Sequence, residues 1–302
     1  MHTLRDEIVR FLEQCGFECE LLDRMGQEVI SVRCGGVESS AVRCVVPWEV
    51  CAASPCEASE QAEHLRQLLQ SLEADNQETI VITEDRWRTQ GDMMRARLLA
   101  HLERFTSLYA RNCYVKKIEK DVAREFLLAN HSYGDAVCRY RYGLYLKRCT
   151  GKKAEISRLA LLARNDSEDG VLVAVATFSN ARKWQKGDKV IRSYEWTRYA
   201  SLPGMRISGG MGKMLKAFIK DVQPDDIMSY ADLEWSEGKV YEQLGFVLEG
   251  KKEPVMFVVD GQWRRFPVKP GMTEDVKLGM TGERFFQNRG SNKYRMKLTE
   301  YE

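Results

Sequence analysis

Lysine is absent from the first 115 residues of this 302-residue chain, where arginine takes its place as the basic side chain. Up to Glu103 there are 10 arginines against 19 acidic residues, a balance of −9, so the overall charge of +2 leaves +11 for the remainder. Such a change of surface chemistry indicates two units, which we expect to cover 1–108 and 109–302. The basic second unit suits contact with polyanions, although an ordinary solvated surface explains the same charge.

Long apolar runs and paired cysteine motifs are also missing. No run approaches the roughly 20 apolar residues of a membrane span, and the first residues lack the unbroken apolar core of a signal peptide. The nine cysteines form no Cys-x-x-Cys pair and have no histidine at ligand spacing, which disfavours a disulfide framework or a zinc site. We therefore expect a cytoplasmic protein with reduced thiols, no membrane segment and no bound metal.

The first unit is predicted to run helix, three strands, helix, strand, helix. Thr3 is a candidate cap for the first helix, and Gly16 is a stop signal. The other elements follow from hydrophobic spacing and turn residues. Those with clear limits are strands at 27–33 and 41–46, a helix at 62–72, a strand at 79–83 and a helix at about 91–103.

The end of this unit resembles the small restriction-endonuclease-like domains of very-short-patch-repair and homing nucleases. The residues that carry the resemblance are Thr83-Glu84-Asp85-Arg86-Trp87 and Met94-Arg95-Ala96-Arg97-Leu98. Such nucleases use an acid and then an acid-x-Lys pair to hold a divalent metal that activates water. The candidate strand at 41–49 has no acid-x-Lys. We therefore expect an inactive, endonuclease-like binding or scaffolding domain, and metal-dependent DNA cleavage by residues 1–110 would contradict this.

The second unit is predicted to be α/β with a mixed sheet. Its pattern gives a strand at 113–118, a helix at 119–129, and strands at 140–147, 155–163, 170–179 and 190–199. A glycine loop with its helix follows, then a strand at 227–231, a short helix carrying Tyr241, and strands at 246–248 and 254–259.

The glycine loop is a candidate anion site. Gly209, Gly210 and Gly212 open an apolar helical repeat, so free backbone N–H groups and the positive helix end would face an anion. The loop is not a P-loop, because Met214 follows Lys213 where that motif has Ser or Thr. The candidate cofactor residues are Arg206, Ile207, Ser208, Gly209, Gly210, Met211, Gly212 and Lys213.

A tyrosine motif, Tyr241-x-x-x-Gly245-Phe246, follows about thirty residues later. The Tyr241 hydroxyl suits general-acid catalysis, and packing of Tyr241 against Phe246 in a core explains the tyrosine alone equally well. Together with the glycine loop and the element order, this motif resembles the GCN5-related N-acetyltransferase (GNAT) family.

The phosphate loop of that family reads Arg/Gln-x-x-Gly-x-Gly/Ala, and Gly210-Met211-Gly212 fits its glycines while Ile207 takes the Arg/Gln position. The resemblance implies that the loop binds the pyrophosphate of acetyl-CoA or another acyl-CoA. It also implies that Tyr241 protonates the departing coenzyme A thiolate.

A narrower resemblance covers about 105–300. Its motifs are Tyr109 to Cys113, Asn130-His131-x-x-Gly134, Tyr194 to Tyr199, Gly209-Gly210, Ser229 to Asp232 with Trp235-Ser236, and the Tyr241 motif. They look like a phage-encoded family that joins a nuclease-like domain to a domain similar to the DNA-modification protein Mom. This implies DNA as a partner and modification of adenine in DNA. Interleaved basic and aromatic residues at 139–142 and 263–266 fit nucleic acid.

The remaining site candidates each have a structural alternative. Glu195 is a candidate base for an amine acceptor, or the ion-pair partner of Arg198. His131 is a second candidate base or substrate contact, or a satisfied histidine at a helix end. The candidate substrate residues are Arg198, Tyr230, Asp232, Trp235 and Ser236, for which core and capping roles are the alternatives.

Three functions fit the sequence. The leading hypothesis is an acyl-CoA-dependent transferase that acts on an amino group, with a DNA base as one acceptor. The second is a nucleic-acid-binding protein without chemistry, and the third is acylation of a protein or a small amine, since a fold does not select an acceptor.

Overall fold

The computed structural model describes residues 3–34, 41–147, 166–167, 170–268 and 284–300. The chain divides into two compact units. The first unit is Met1–Arg104 with Glu253–Gly290, and the second is Phe105–Lys252 with Ser291–Glu302. The first break lies four residues before the predicted boundary at 108/109. The segment Glu253–Gly290 belongs to the first unit, whereas the prediction assigned it to the second. No helix of the described residues is long and apolar enough to cross a membrane.

The described elements are numbered in chain order. The helices are α1 Leu4–Gln14, α2 Pro55–Ala74, α3 Glu84–Thr89, α4 Gly91–His101, α5 Lys120–Asn130, α6 Gly210–Val222 and α7 Lys239–Gln243, with a 3-10 turn at Ala110–Asn112. The first nine strands are β1 Glu18–Arg24, β2 Gln27–Cys34, β3 Ala41–Trp48, β4 Glu78–Thr83, β5 Thr106–Tyr109, β6 Cys113–Lys117, β7 Tyr140–Leu146, β8 Asp166–Ser167 and β9 Gly170–Phe178. The others are β10 Arg182–Lys186, β11 Lys189–Ser201, β12 Met205–Ser208, β13 Asp226–Asp232, β14 Val247–Lys252, β15 Met256–Val259, β16 Arg265–Pro267, β17 Arg284–Gln287 and β18 Ser291–Lys297.

The first unit is built on a four-stranded sheet in the order β1-β2-β3-β4. β1 to β3 are antiparallel, and β4 runs parallel to β3 after the crossover through α2. α1 begins at a capping box between Thr3 and Asp6 and buries Leu4, Ile8 and Leu12 on one face;. The predicted order of helix, three strands, helix, strand and helix is present, with the short helix α3 inserted before the last predicted helix.

The returning segment adds a second sheet to this unit. β15 lies between β16 and β17, and all three strands are antiparallel. Val259 and Phe286 pack with Leu65 and Leu68 of α2. The prediction that 254–259 closes the sheet of the second unit is therefore wrong. An apolar run identifies a buried strand but does not say which sheet it joins.

The second unit has a nine-stranded mixed sheet whose main path is β14-β18-β13-β11-β9-β7-β6, with β10 paired to β11 and β8 to β9. α6 packs on one face, where Phe218 meets Ala174 and Ala176. α5 packs on the other, where Phe126 meets Val175. The predicted class, α/β with mixed sheets, is confirmed.

Most predicted elements of this unit are present. β6, β7, β9, β11, β13 and β14 lie near the predicted strands, and α5, α6 and α7 match the predicted helices. The candidate strand at 155–163 lies outside the described residues. β18 was not predicted, although it fills the position between β13 and β14.

A buried ion pair joins the two segments of the first unit. The guanidinium of Arg265 in β16 forms two hydrogen bonds with the carboxylate of Asp85, at the start of α3, and a third with Thr83. The side chains of Asp85 and Arg265 are 2% and 11% exposed. The same guanidinium lies 4.0 Å from the ring centroid of Phe286. Pairing of the two charges offsets the free-energy cost of burying them.

We expect Asp85→Asn to destabilise the first unit by about 3–5 kcal/mol, because the Arg265 charge stays buried without the opposite charge of Asp85. The measurement is urea dependence of hydrogen exchange at the amides of β4 and β15, which reports on this unit alone. Glu63→Gln breaks the exposed pair with Arg66 and is the control, for which we expect a much smaller change. Equal effects of the two substitutions would contradict the prediction.

Candidate active site

The site is built where β11 leaves β13. β11 pairs in parallel with β13 over Ser193–Glu195, whereas its second half, Trp196–Ser201, pairs with β9. β13 continues to Asp232 against β18. The two neighbouring strands therefore part after Glu195, and backbone groups on this side of β11 face an opening in the sheet.

Tyr241 lies at the point where the strands part. Its hydroxyl oxygen is 2.8 Å from Ser229 Oγ, and Ser229 Oγ is 3.0 Å from the carbonyl oxygen of Trp196. Ser229 has one hydroxyl proton, so when it donates to Trp196 it accepts from Tyr241. If Tyr241 loses its proton, Ser229 can instead donate to the phenolate. The Ser229 hydroxyl thus lowers the pKa of Tyr241, while burial raises that pKa by more;.

The Tyr-x-x-x-Gly-Phe motif has a geometric cause. Gly245 has φ +90°, which lets the chain turn back at the end of α7. The N–H of Phe246 then donates to the carbonyl of Tyr241, and that of Gly245 to Glu242, both at 2.9 Å. This is a Schellman motif, and the edge contact of the Tyr241 and Phe246 rings at 5.5 Å is its usual apolar contact. The motif fixes the position of Tyr241.

The start of α6 is open to an anion. Its cap, Gly209, has φ +75° and no side chain to bond the first turn. The N–H groups of Gly210, Met211 and Gly212 belong to that first turn, where no intrahelical carbonyl is available. Free donors and the positive end of a 13-residue helix therefore coincide here.

Close packing explains the glycines at this helix start. A Cβ on Gly210 would lie 2.9 Å from Ile207 Cγ2 and 3.2 Å from the hydroxyl of Tyr199, and one on Gly212 would lie 3.1 Å from Leu244 Cδ2. Leu244 is three residues after Tyr241. The helix start and the Tyr241 turn are thus neighbours, so one elongated ligand can reach both.

The ammonium of Lys213 is hydrogen-bonded to the backbone rather than free to contact an anion at the start of α6. Its Nζ donates to the carbonyl oxygens of Ala110, at 2.8 Å, and of Cys113. The ammonium therefore holds the 3-10 turn before β6 against α6. Its predicted contact with a cofactor stays a prediction.

The residues before the glycines lie on or beside β12. Arg206 is exposed, and its guanidinium lies 5.3 Å from the ring centroid of Phe105. Ile207 fills the space beside Gly210. Ser208 is exposed at the end of the strand. Of the three, Arg206 is the side chain able to supply charge to a ligand at the helix start.

The loop after α5 brings three predicted residues together. The hydroxyl of Tyr133 donates to Asp232 Oδ2 at 2.7 Å, and Arg198 Nε donates to the carbonyl of Gly134 at 3.2 Å. His131, at the end of α5, accepts the Tyr133 N–H at Nδ1 over 3.1 Å. Burial lowers the pKa of Arg198. The loop thereby connects β11 and β13 on the α5 side of the opening.

The two candidate bases differ in their surroundings. Glu195 is half-buried on β11, and its backbone bonds to Ser179 in both directions, at 2.9 Å. Within the described residues its carboxylate forms no ion pair with Arg198 at 4.0 Å or less, so the predicted alternative role is not observed. The His131 imidazole, by contrast, has the local hydrogen bond expected of a histidine at a helix end.

The other candidate substrate residues have local partners. The ring centroid of Tyr230 lies 3.8 Å from Lys252 Nζ. The N–H groups of Trp235 and Ser236 donate to the carbonyl of Asp232 at 2.9 and 3.0 Å, so both residues shape the turn after β13. In the described part of the chain, no group of three or more His, Cys, Asp or Glu side chains is placed to hold a metal ion.

Two site residues were not assigned from the sequence. Ser229 and Tyr199 lie within the quoted motifs, but only the structure places Ser229 against Tyr241 and Tyr199 beside Gly210. Burial raises the pKa of Tyr199. A serine at an inward position of an otherwise apolar strand is the signal that could have identified Ser229.

Comparison with known proteins gives weak likenesses only. No family model and no curated protein matches this chain. Among solved structures, a GNAT-family acetyltransferase from Bacillus anthracis is 14% identical, with 62% of this chain and 95% of that chain covered and a TM-score of 0.31. An acetyltransferase structure from Corynebacterium glutamicum, described as a histone acetyltransferase and related acetyltransferase, is 12% identical over 61% and 95%, with a TM-score of 0.33.

A third similar structure is a mutant of the AtaT toxin bound to the C-terminus of the antitoxin AtaR and to acetyl-CoA. It is 14% identical, with 56% of this chain and 99% of that chain covered and a TM-score of 0.28. At these identities and TM-scores, none of the three likenesses assigns a family or an activity to this chain.

We expect the pKa of Tyr241 to lie above its ordinary value of 10.0, because burial disfavours the phenolate more than the Ser229 hydrogen bond favours it;. Ser229→Ala should raise this pKa further. NMR titration of isotope-labelled tyrosine, assigned with Tyr241→Phe, measures both shifts. Because the folded-state pKa is raised, the contribution of Tyr241 to stability is present below pH 10 and is lost as the pH rises through the folded-state pKa.

The exposed Ser107 supplies the control, since Ser107→Ala should leave the titration of Tyr241 unchanged. A lower pKa in Ser229→Ala would show that the serine does not donate to the phenolate.

Proposed function

We propose that this protein is an acyl-CoA-dependent transferase. The observation that carries the proposal is the parting of β11 from β13. The hydrogen-bonded pair of Tyr241 and Ser229 lies where the strands part, and the open start of α6 lies beside it. An anion seat, a proton donor and an opening in a sheet are the parts that such a transfer requires.

The start of α6 fits the pyrophosphate of coenzyme A. Gly209, Gly210 and Gly212 place no side chain in front of the first-turn N–H groups, and the helix end favours negative charge. Arg206 is the nearby side chain able to add a positive charge. The neighbouring contact of Gly212 with Leu244 puts Tyr241 within reach of the same ligand.

Tyr241 supplies the proton in this proposal. A bound acyl-CoA would contribute an activated thioester. A tyrosine phenol is protonated at neutral pH, as a general acid must be, and burial raises the pKa of Tyr241 above its ordinary value of 10.0. When the phenol gives up its proton, the Ser229 hydroxyl turns from Trp196 to the phenolate and stabilises the charge;.

The α5 side of the opening is the proposed acceptor side. Glu195 is placed on β11 where the strands part and would take a proton from an amine, with His131 as the second candidate base. Arg198, Tyr230 and Asp232 would contact the acceptor, with Trp235 and Ser236 shaping the turn beside it.

The acceptor that we propose first is an amino group on a DNA base, as the Mom-like motifs imply. An amino group of a protein or a small amine is the alternative. The first unit, whose sequence resembles endonuclease-like domains, would act as an inactive docking domain for the nucleic acid. We place the reaction in the cytoplasm, where acyl-CoA and reduced thiols occur together.

We expect Met211→Glu to weaken binding of acetyl-CoA at least tenfold relative to Met211→Gln. Met211 is the second residue of α6, where a carboxylate stabilises the helix but repels a bound anion. The two variants lose the same packing, so their difference isolates the charge. Isothermal calorimetry with acetyl-CoA and with dephospho-coenzyme A measures it.

Equal affinities of the two Met211 variants would place the anion elsewhere. No binding of acetyl-CoA by the unmodified protein would refute the proposed function altogether.

We expect Tyr241→Phe to reduce acyl transfer by about 10²- to 10⁴-fold, the usual effect of losing a general acid, while acetyl-CoA still binds. The measurement is mass spectrometry of nucleosides from plasmid DNA of cells that make the protein. A nucleoside with a new base mass should appear in cells that make the wild-type protein and should be absent from cells that make Tyr241→Phe. Tyr142→Phe, which removes a hydroxyl bonded to Asp221, is the control and should retain the modification.

Unmodified DNA together with acylated protein or amine would replace the DNA acceptor by the alternative one. Full activity of Tyr241→Phe would remove the tyrosine from the reaction.

A further inference from the structure

The second unit carries a basic hairpin away from the site just described. β10 pairs antiparallel with the first residues of β11, and Gly187, with φ +56°, lies in the turn. Every residue from Arg182 to Val190 is exposed. β10 pairs with β11 and with no other described strand, so one edge of the hairpin is exposed to solvent, and its turn lines a pocket with Lys297–Glu300.

The charges of this hairpin are almost all positive. Residues 182–189 contain four cations, Arg182, Lys183, Lys186 and Lys189, against the single acid Asp188. In the part of the chain that the structure describes, none of these four forms an ion pair within 4.0 Å. Lys186 and Lys189 are direct cross-strand partners, an arrangement of like charges that costs stability. An anion between them would remove that cost.

An exposed tryptophan lies among these cations. Trp184 is 48% exposed and shares one face of β10 with Arg182 and Lys186, because alternate residues of a strand point the same way. Each cation is about 7 Å from Trp184 along the strand. Lys189 continues this face across the turn through its pairing with Lys186.

We propose that the β10–β11 hairpin is a binding surface for single-stranded nucleic acid. Trp184 stacks on a base, and Arg182, Lys186 and Lys189 contact phosphates. An aromatic ring among cations suits this ligand because every base has a face for stacking and every nucleotide a charge. A membrane surface would need a broad apolar face, whereas this face of the hairpin exposes one indole and its cross-strand partner Ile191 is buried.

The inference does not depend on acyl transfer, since it uses no residue of the proposed active site. β11 nevertheless leads from the hairpin to Glu195, six residues beyond Lys189 and about 20 Å away at the rise of a strand;. A strand bound at the hairpin would therefore lie within a few nucleotides of the opening between β11 and β13.

Charged residues on an edge strand also prevent sheets from joining edge to edge. This role predicts lower solubility on neutralisation, without any change in nucleic-acid binding. The test below separates the two roles because it measures affinity at several salt concentrations.

The experiment follows fluorescence anisotropy of a labelled oligothymidylate of about 16 nucleotides at increasing salt. A plot of log K against log salt has a negative slope. We expect Lys186→Gln/Lys189→Gln to reduce the magnitude of this slope by about 1.4, or 0.7 for each lost phosphate contact. Lys120→Gln/Lys216→Gln changes the net charge equally at two exposed positions of α5 and α6 and should leave the slope unchanged.

Trp184→Ala should weaken binding at least fivefold through lost stacking, and Trp184→Phe should recover most of it. The same protocol with oligouridylate shows whether DNA or RNA is preferred, and either preference supports the proposal. Equal slopes for the two double variants, tighter binding of duplex DNA, or tighter binding of anionic vesicles or polyglutamate would overturn it. Calorimetry should show that the hairpin variants bind acetyl-CoA with the same affinity as the wild-type protein. If the wild-type protein does not bind acetyl-CoA, the proposed transferase function is refuted, but the inference about the hairpin is not affected.

Discussion

The second unit depends on a single constraint, the parting of β11 from β13 after Glu195. Backbone hydrogen bonds between two adjacent strands are given up there, and the structure compensates with side chains. Ser229 bonds the carbonyl of Trp196, and Tyr133 and Arg198 join the α5 loop to both strands. Polar groups with these partners hold the opening in a fixed shape. Without it, the tyrosine and the candidate acceptor residues would lie on opposite faces of a closed sheet.

Local chemistry made several of these features predictable. The glycines at 209–212 and the Tyr241 motif are both signals for how a helix begins or ends, and such signals act within a few residues. For the same reason strands β6, β7, β9, β11 and β13 and helices α5 and α6 lie close to their predicted positions. The tyrosine motif was informative about position because its glycine and phenylalanine form the helix cap.

Contacts between distant polar residues were not predictable. β18 reads Ser-Asn-Lys-Tyr-Arg-Met-Lys and lacks the apolar run of an internal strand, yet Arg295 satisfies Asp226 and Glu249 from its two neighbours. The segment that returns to the first unit likewise forms a buried ion pair between Asp85 and Arg265, charged residues that a sequence pattern assigns to the surface. The hydrogen bonds of Lys213 to backbone carbonyls about 100 residues earlier in the chain were likewise not predicted.

The position of β18 also sets the order in which the molecule can be completed during synthesis. The first unit needs β15 to β17, and the sheet of the second unit needs β18 between β13 and β14. All four strands leave the ribosome after β1 to β14 have been made. A nascent chain of about 250 residues therefore carries two incomplete cores with open strand edges, which is the state that chaperones recognise.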